Sequence, residues 1–508
     1  MPKTEDKGLP DDLSKLNPDA FGYEQARHLL WRAGFGGTPR QIQTLASWGI
    51  ERAVDHLVDY TDVSYTSDET EEFDPAIIRP PSAEEREAYR RARARQDENF
   101  IARIRVEREQ RERADRRQIR EVQRWWLKRM IESPRPLEEK LTLFWHGHFA
   151  TSYRTIEDSY HMYMQNRLFR RHATGSYADL LYAIIRDPAM IAYLDNNDSR
   201  VGRPNENLAR ELMELFSLGV GNYTEADIKE GARALTGYTF QDDQFTLVER
   251  NHDKGDKRIL GEQGNLHGDD FVTAILRQRT CPEFITRKLY AYFVADLPDD
   301  DSLIDTPTKR VLRDLANTFQ RNRYTTGPTL KKLFLSAHFY SPSIMNEQIK
   351  SPTQLIVGAV RSLNTPVRDL ATLLDAMDLM GQHILYPPSV KGWPGGRTWI
   401  NTSTLFVRQN ALAFLLTGKR PRGYDAAADI EQYSPTHLLD ALAQADPGAE
   451  RDPDRVARYL LNFAIGNDPA HARQTLRDFA AEHDDRVTPD LVTGMLLLIT
   501  AMPEYQLC

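Results

Sequence analysis

Thiols are nearly absent: the 508-residue chain has only two cysteines, Cys281 and Cys508. That excludes a disulfide framework and any zinc or iron–sulfur site needing three or four thiolates, so a metal ion here would need histidine, carboxylate or carbonyl ligands. Long apolar runs are missing too. No segment approaches the roughly 18 to 20 residues that cross a bilayer, and the mean hydropathy is −0.58. There is no excess of positive charge: 66 Lys and Arg stand against 74 Asp and Glu, a net charge of −8. This argues against a dedicated nucleic-acid surface on the scale of the whole chain. Residues 1–22 hold neither an apolar h-region nor a twin-arginine pair, so the expected location is cytoplasmic. No Gly-x-Ser-x-Gly elbow, Rossmann fingerprint, Walker A loop or His-Glu-x-x-His pair occurs, which removes the simplest evidence for those reaction classes.

What is present is helical periodicity. Residues 1–20, polar and carrying Pro2, Pro10 and Pro18, are expected to lie loose or drape over the surface. Residues 21–60 read as a helical segment, with Thr38 as N-cap and Pro39 at the first helical position of one helix. Residues 61–82 read as an acidic, proline-bearing connector: six acidic and no basic residues lie between Thr61 and Pro75. A main body over 83–418 then opens with one long charged helix, which has 14 Arg and 10 acidic residues between Glu84 and Arg124. Its apolar stripe, Ile119, Val122, Trp126 and Met130, enters the core only toward the C-terminal end. A helical extension fills 419–508. Residues 238–249 and the run around Arg258-Ile-Leu are the candidates for a small hairpin. The fold class is mostly α, a large multi-helix body with at most a small β-hairpin.

Four stretches carry possible chemistry. Leu143-Phe-Trp-His146-Gly-His148-Phe-Ala sets two imidazoles among apolar neighbours. On a regular helix i and i+2 face different sides, but a glycine at a helix end lets both rings converge. Burying two imidazoles without a strong partner is unfavourable, so His146 and His148 are candidate metal ligands; the other reading is a pair of hydrogen-bonded core histidines. In Arg203-Pro-Asn-Glu-Asn207-Leu-Ala-Arg210-Glu211-Leu-Met-Glu214, Pro204 and the later Gly219 bracket an expected helix of about four turns. There Glu211 and Glu214 share a face with Asn207 and border the core, while Glu206 and Arg210 pair on the other side. Thr224 with Asp227 resembles a capping box. Beyond the candidate hairpin, the turn Asn251-His252-Asp253-Lys-Gly255 is either solvated or supplies a further ligand, His252, and a carboxylate, Asp253, that orients a histidine. Finally, Ser389-Val-Lys391-Gly-Trp393-Pro-Gly-Gly-Arg397-Thr-Trp399 combines glycines with positive charge. It is read either as a rigid packed corner or as a lid in which Lys391 and Arg397 hold an acidic substrate group against Trp393 and Trp399.

These stretches, together with Arg32-Ala-Gly-Phe-Gly-Gly-Thr-Pro, resemble in order and residue type the motifs of the bacterial DUF1800 family over about residues 21–418. The resemblance implies a mostly helical protein, often encoded beside a sulfatase-like DUF1501 protein, its expected partner, and no established reaction. Many relatives look exported, and this sequence departs from them in showing no leader. The charged helix and the tail beyond 420 lie outside the most recognisable parts.

Two function classes follow. The first is a metal-dependent enzyme in which one divalent transition ion (Fe, Mn or Zn) is held by His146, His148 and Glu211, with Glu214 or His252 completing the sphere and Asn207, Arg210 and Asp253 supporting it. Such a site serves an oxidoreductase with open iron positions or a hydrolase using metal-activated water, acting on an acidic small molecule or peptide. The second is a non-enzymatic binding or assembly protein in which the same residues form a buried polar network.

Overall fold

Along most of the chain, amphipathic segments begin with well-formed caps, and these segments are helices in a computed structural model that describes residues 9–65, 72–419 and 431–508. Parts of the expected N-terminal stretch, acidic connector and extension lie outside the described residues. Thr38 accepts a bond from the Gln41 N–H with Pro39 behind it, and Thr224 and Asp227 form a reciprocal capping box. Twenty-three α-helices stand against four short strands among the described residues. The strands make two separate hairpins rather than one: β1 (Tyr238–Gln241) pairs with β2 (Gln244–Leu247), and β3 (Lys257–Ile259) with β4 (Glu262–Gly264). The second turns through Leu260 and Gly261, both at positive φ, as a tight hairpin requires.

Three expectations are corrected. The charged helix is two helices, Ala83–Ala94 and Glu98–Glu132, because Gln96 turns left-handed and the Asp97 side chain caps a new start. Residues 9–20 are seated rather than loose: Leu13 is buried, Lys15 bridges Ser336, and the Pro10 carbonyl accepts from His338 at 2.7 Å. The helix expected from Pro204 to Gly219 covers only Asn207–Glu214. The extension joins the same core, with Leu460, Met495 and Tyr505 in one apolar cluster with Leu29 and Trp126.

Buried cations tie these helices together, and they bond mainly to main-chain carbonyls. Arg32 donates to the carbonyls of Val294 at 2.8 Å and Ile344 at 2.9 Å, Arg27 to Phe463 at 2.8 Å, and Arg368 to Leu415 at 3.1 Å. Lys140 donates to Gly34 at 2.8 Å and Arg361 to Ile131 at 2.8 Å. Each acceptor but Ile344 lies at a helix C-terminus, where unpaired carbonyls and the macrodipole favour a positive charge. The main buried carboxylate is Glu139, held by Arg129, Arg170 and the Trp126 indole. Burial alone would raise its pKa, but the two arginines outweigh that and lower it.

Two outcomes follow. Arg32→Met removes the donor from several carbonyls, and urea denaturation should show a loss on the order of 3–5 kcal/mol; a change below about 1 kcal/mol would contradict this role. Burial also pushes Lys140 and Lys350 down to about 7. Between about pH 7 and 10 the unfolded chain then carries protons on these groups that the folded chain has lost, so their contribution makes stability rise with pH in that window. The melting temperature of Lys140→Met should rise less steeply there than that of the parent.

Candidate functional site

The helix Pro136–His148 stays regular to its last residue, so its two histidines diverge by about 200° at 100° per residue. His146 is buried among Trp126, Phe169 and Trp393, with its ring centre 5.4 Å from Trp393. Its Nε2 accepts the Leu385 N–H at 3.2 Å, so the ring proton of the neutral imidazole is on Nδ1. His148 faces Phe216 and Phe284, and its Nε2 lies 2.9 Å from the Phe216 carbonyl. A carbonyl only accepts, so this Nε2 carries the proton and Nδ1 keeps the lone pair. Burial pushes both imidazoles down to about 3, with Lys288 adding to the effect at His148.

The His146 bond positions the glycine- and tryptophan-bearing loop. Leu385 is held in a left-handed conformation (φ 66°). Its N–H is fixed by His146, and its carbonyl accepts from Tyr153 at 3.0 Å. From there the chain runs through Tyr386 to Gly392, which has φ 77° and lies so close to the helix that a Cβ would sit 2.1 Å from the Gly147 carbonyl oxygen. Trp393 covers Gly147 and His146. The loop is therefore packed onto the His-Gly-His turn. Lys391 is exposed beside this contact, near enough to Glu211 to lower its carboxyl pKa, although burial and Glu214 raise that pKa overall. Arg397 points to a different neighbourhood, close to Asp296, and Trp399 is buried against Gly381.

The five expected ligands do not meet in one group. Among the described residues no three His, Cys, Asp or Glu side chains are grouped so as to hold a metal ion. Glu214 accepts from the Tyr223 hydroxyl at 2.8 Å, Asn207 is exposed, and Arg210 bonds Glu206 at 3.2 Å, as expected, and Glu225 at 2.9 Å. His252 belongs to the hairpin region: its Nδ1 donates to the Thr236 carbonyl at 2.8 Å, and its ring stacks on His267 at 4.4 Å. Asp253 forms a two-pronged pair with Arg233.

Sequence reasoning missed Lys288. It lies on the helix Thr280–Phe293, exposed and 5.4 Å from the Phe284 ring centre. Partial burial of its ammonium, with Arg287 and Lys391 nearby, lowers its pKa, and Asp299 partly offsets this. Neither Lys288 nor Lys391 has an ion-pair partner among the described residues. A lone lysine on a polar helix face gives no sequence signal, and only the fold brings it to Lys391.

The motif that begins at Arg32, the His146-Gly-His148 motif and the loop that carries Lys391 thus form one packed unit, with Gly34 on Lys140, Gly147 on Gly392 and His146 on Leu385. DUF1800, a family of proteins of unknown function, matches residues 28–507. The chain belongs to the DUF1800 family. The match takes in the charged helices and nearly all of the C-terminal extension, further than the five motifs alone indicate. No curated protein and no solved structure matches this DUF1800 chain.

The glycine contact gives a paired test. Gly395 also has positive φ (72°), but no atom lies within 4 Å of where its Cβ would stand, whereas Gly392 has the Gly147 carbonyl. Gly395→Ala should therefore cost only the strain of a backbone conformation (φ 72°, ψ −174°) that glycine alone adopts readily, about 1–3 kcal/mol, and Gly392→Ala should cost more, above about 3 kcal/mol, as the loop lifts from the helix. Chemical denaturation of the two variants checks the order.

Proposed function

We propose that this DUF1800 chain is a binding or assembly protein that receives an anionic group of a small molecule or peptide beside Lys391 and Lys288. The observation that carries this reading is the approach of Lys391 to the partly buried Lys288 ammonium, whose pKa burial, Arg287 and Lys391 together lower against the opposing effect of Asp299, while neither lysine forms a salt bridge among the described residues. Like charges held together are relieved by a bound anion. Glu211 on the adjoining wall sets a limit on how far a carboxylate or phosphate can enter, and Trp393 supplies an apolar edge. The histidines fit this role as supports: both Nε2 atoms are engaged by main-chain groups far away in sequence. A DUF1501-type protein, the partner the resemblance implies, is one source of such an anionic group.

One observation favours the enzyme reading as a second proposal: the lone pair on His148 Nδ1. A divalent Fe, Mn or Zn ion in a hydrolase or oxidoreductase would draw on that nitrogen, with a carboxylate such as Glu211 brought to it.

Calorimetric titration with inorganic phosphate and with succinate distinguishes the two. The binding reading expects saturable heat that falls at least tenfold in affinity in Lys288→Gln/Lys391→Gln, with an unchanged melting temperature. Equal affinity in the variant, or no binding to the parent, overturns it. About one equivalent of Zn, Mn or Fe, lost in His148→Ala, would establish the metal reading instead.

A further inference from the structure

The two charged helices enclose a groove that neither the family motifs nor the Lys288–Lys391 face involves. Ala83–Ala94 folds back on the first half of Glu98–Glu132, yet the only buried residue of the shorter helix is Ala92. Ile77, Ile78, Ile101 and Ile104 stay partly exposed and stand outside the main apolar core, and Tyr89 is 39 % exposed. They line a cavity of about 890 Å³ that reaches Ile156. A second hollow of about 320 Å³ shares Ile77, Glu107 and Arg111 with it and extends to Ala114. From Ile101 to Ala114 the floor is one helix of 35 residues in all, so this stretch spans about 20 Å at 1.5 Å per residue. That is the length of three to four turns of a docked helix.

The rim is basic. Six arginines and four glutamates line the larger cavity, and the span Glu84–Arg124 carries 14 Arg against 10 acidic residues in a chain whose net charge is −8. Most of these arginines already have acids: Arg108 with Glu112 at 3.0 Å, Arg79 with Glu85 at 3.0 Å, and Arg105 with Glu109 at 3.5 Å. Two in the groove do not. Arg86 donates only to the Pro81 carbonyl, and Arg111 has no ion pair among the described residues. A cluster of half-covered isoleucines (Ile77, Ile78, Ile101 and Ile104) lies at one end of this floor of about 20 Å, with Glu107, Arg108 and Glu112 further along it and the two arginines without carboxylates, Arg86 and Arg111, at its rim. This surface is complementary to a helix that carries apolar residues at i, i+3 and i+4 and acidic residues beside and beyond them.

We propose that this groove docks an acidic amphipathic helix of a partner protein. Its apolar stripe lies on Ile77, Ile101 and Ile104, and its carboxylates meet Arg86 and Arg111. The proposal is independent of the anion site at Lys288 and Lys391.

The test uses the full chain as bait for a displayed library of 16-residue amphipathic helices whose polar positions are randomised over Glu, Lys, Gln and Ser. Counter-selection is against Ile104→Asp, a variant at a half-exposed position whose folding is verified by its melting temperature. The expected result is enrichment of acidic sequences, with the best peptide losing at least tenfold in affinity on Ile104→Asp and on Arg86→Glu/Arg111→Glu in fluorescence anisotropy, and weakening with salt. Lack of enrichment over Ile104→Asp, or enrichment of lysine-rich sequences, overturns the proposal. So does light scattering that shows a dimer abolished by Ile104→Asp, which would assign the groove to a second copy. Binding of a single-stranded RNA oligonucleotide lost in Arg86→Glu/Arg111→Glu, without peptide enrichment, assigns it to nucleic acid and likewise overturns it.

Discussion

A positive charge inside a protein is tolerable only where oxygen atoms replace its water. In this chain the replacement oxygens are mostly the free carbonyls at helix C-termini. Arg32 closes the end of Thr280–Phe293, Arg27 that of Pro453–Ile465, Arg368 that of Thr402–Thr417, and Lys140 that of Tyr23–Arg32. Each bond joins segments far apart in sequence, so the helix ends are fixed relative to one another. Lys140 belongs to the same helix as His146 and His148. The orientation of that helix, and with it the loop that carries Lys391, depends on these buried cations.

The same reasoning explains why two buried histidines are compatible with a supporting role. An imidazole is neutral when burial disfavours its charge, and a neutral ring offers one donor and one acceptor. His146 uses its acceptor on a strained turn at Leu385; His148 uses its donor on the carbonyl that follows the helix Asn207–Glu214. Together they join three of the motif stretches through single hydrogen bonds. Lys391, on the loop that the packed glycines hold, lies near both Glu211 and Lys288.

Local signals were legible in the sequence wherever a short segment decides its own structure. The Thr38 cap, the Thr224 and Asp227 box, the Glu206–Arg210 pair and the mostly α class all follow from spacing and residue type. What stayed hidden depends on distant partners or on one backbone angle. Gln96 breaks the charged helix with no proline or glycine to announce it. Leu215 to Leu218 keep helical spacing but leave the helix, because Leu218 and Gly219 both bond back to the Met213 carbonyl. The expected convergence of His146 and His148 required the helix to end at Gly147, and it continues one residue further. Lys288 has meaning only beside Lys391.

The most direct measurement is the protonation state of the two rings, read by nitrogen-15 NMR on histidine-labelled full-length protein. The expected result is neutral His146 with its proton on Nδ1 and neutral His148 with its proton on Nε2, both unchanged between about pH 5 and 8, and an Nδ1–H tautomer at His146 that persists when Zn or Mn is added. Titration of either ring in that range, or a shift of both rings on adding one equivalent of metal, would contradict the supporting role of the two histidines.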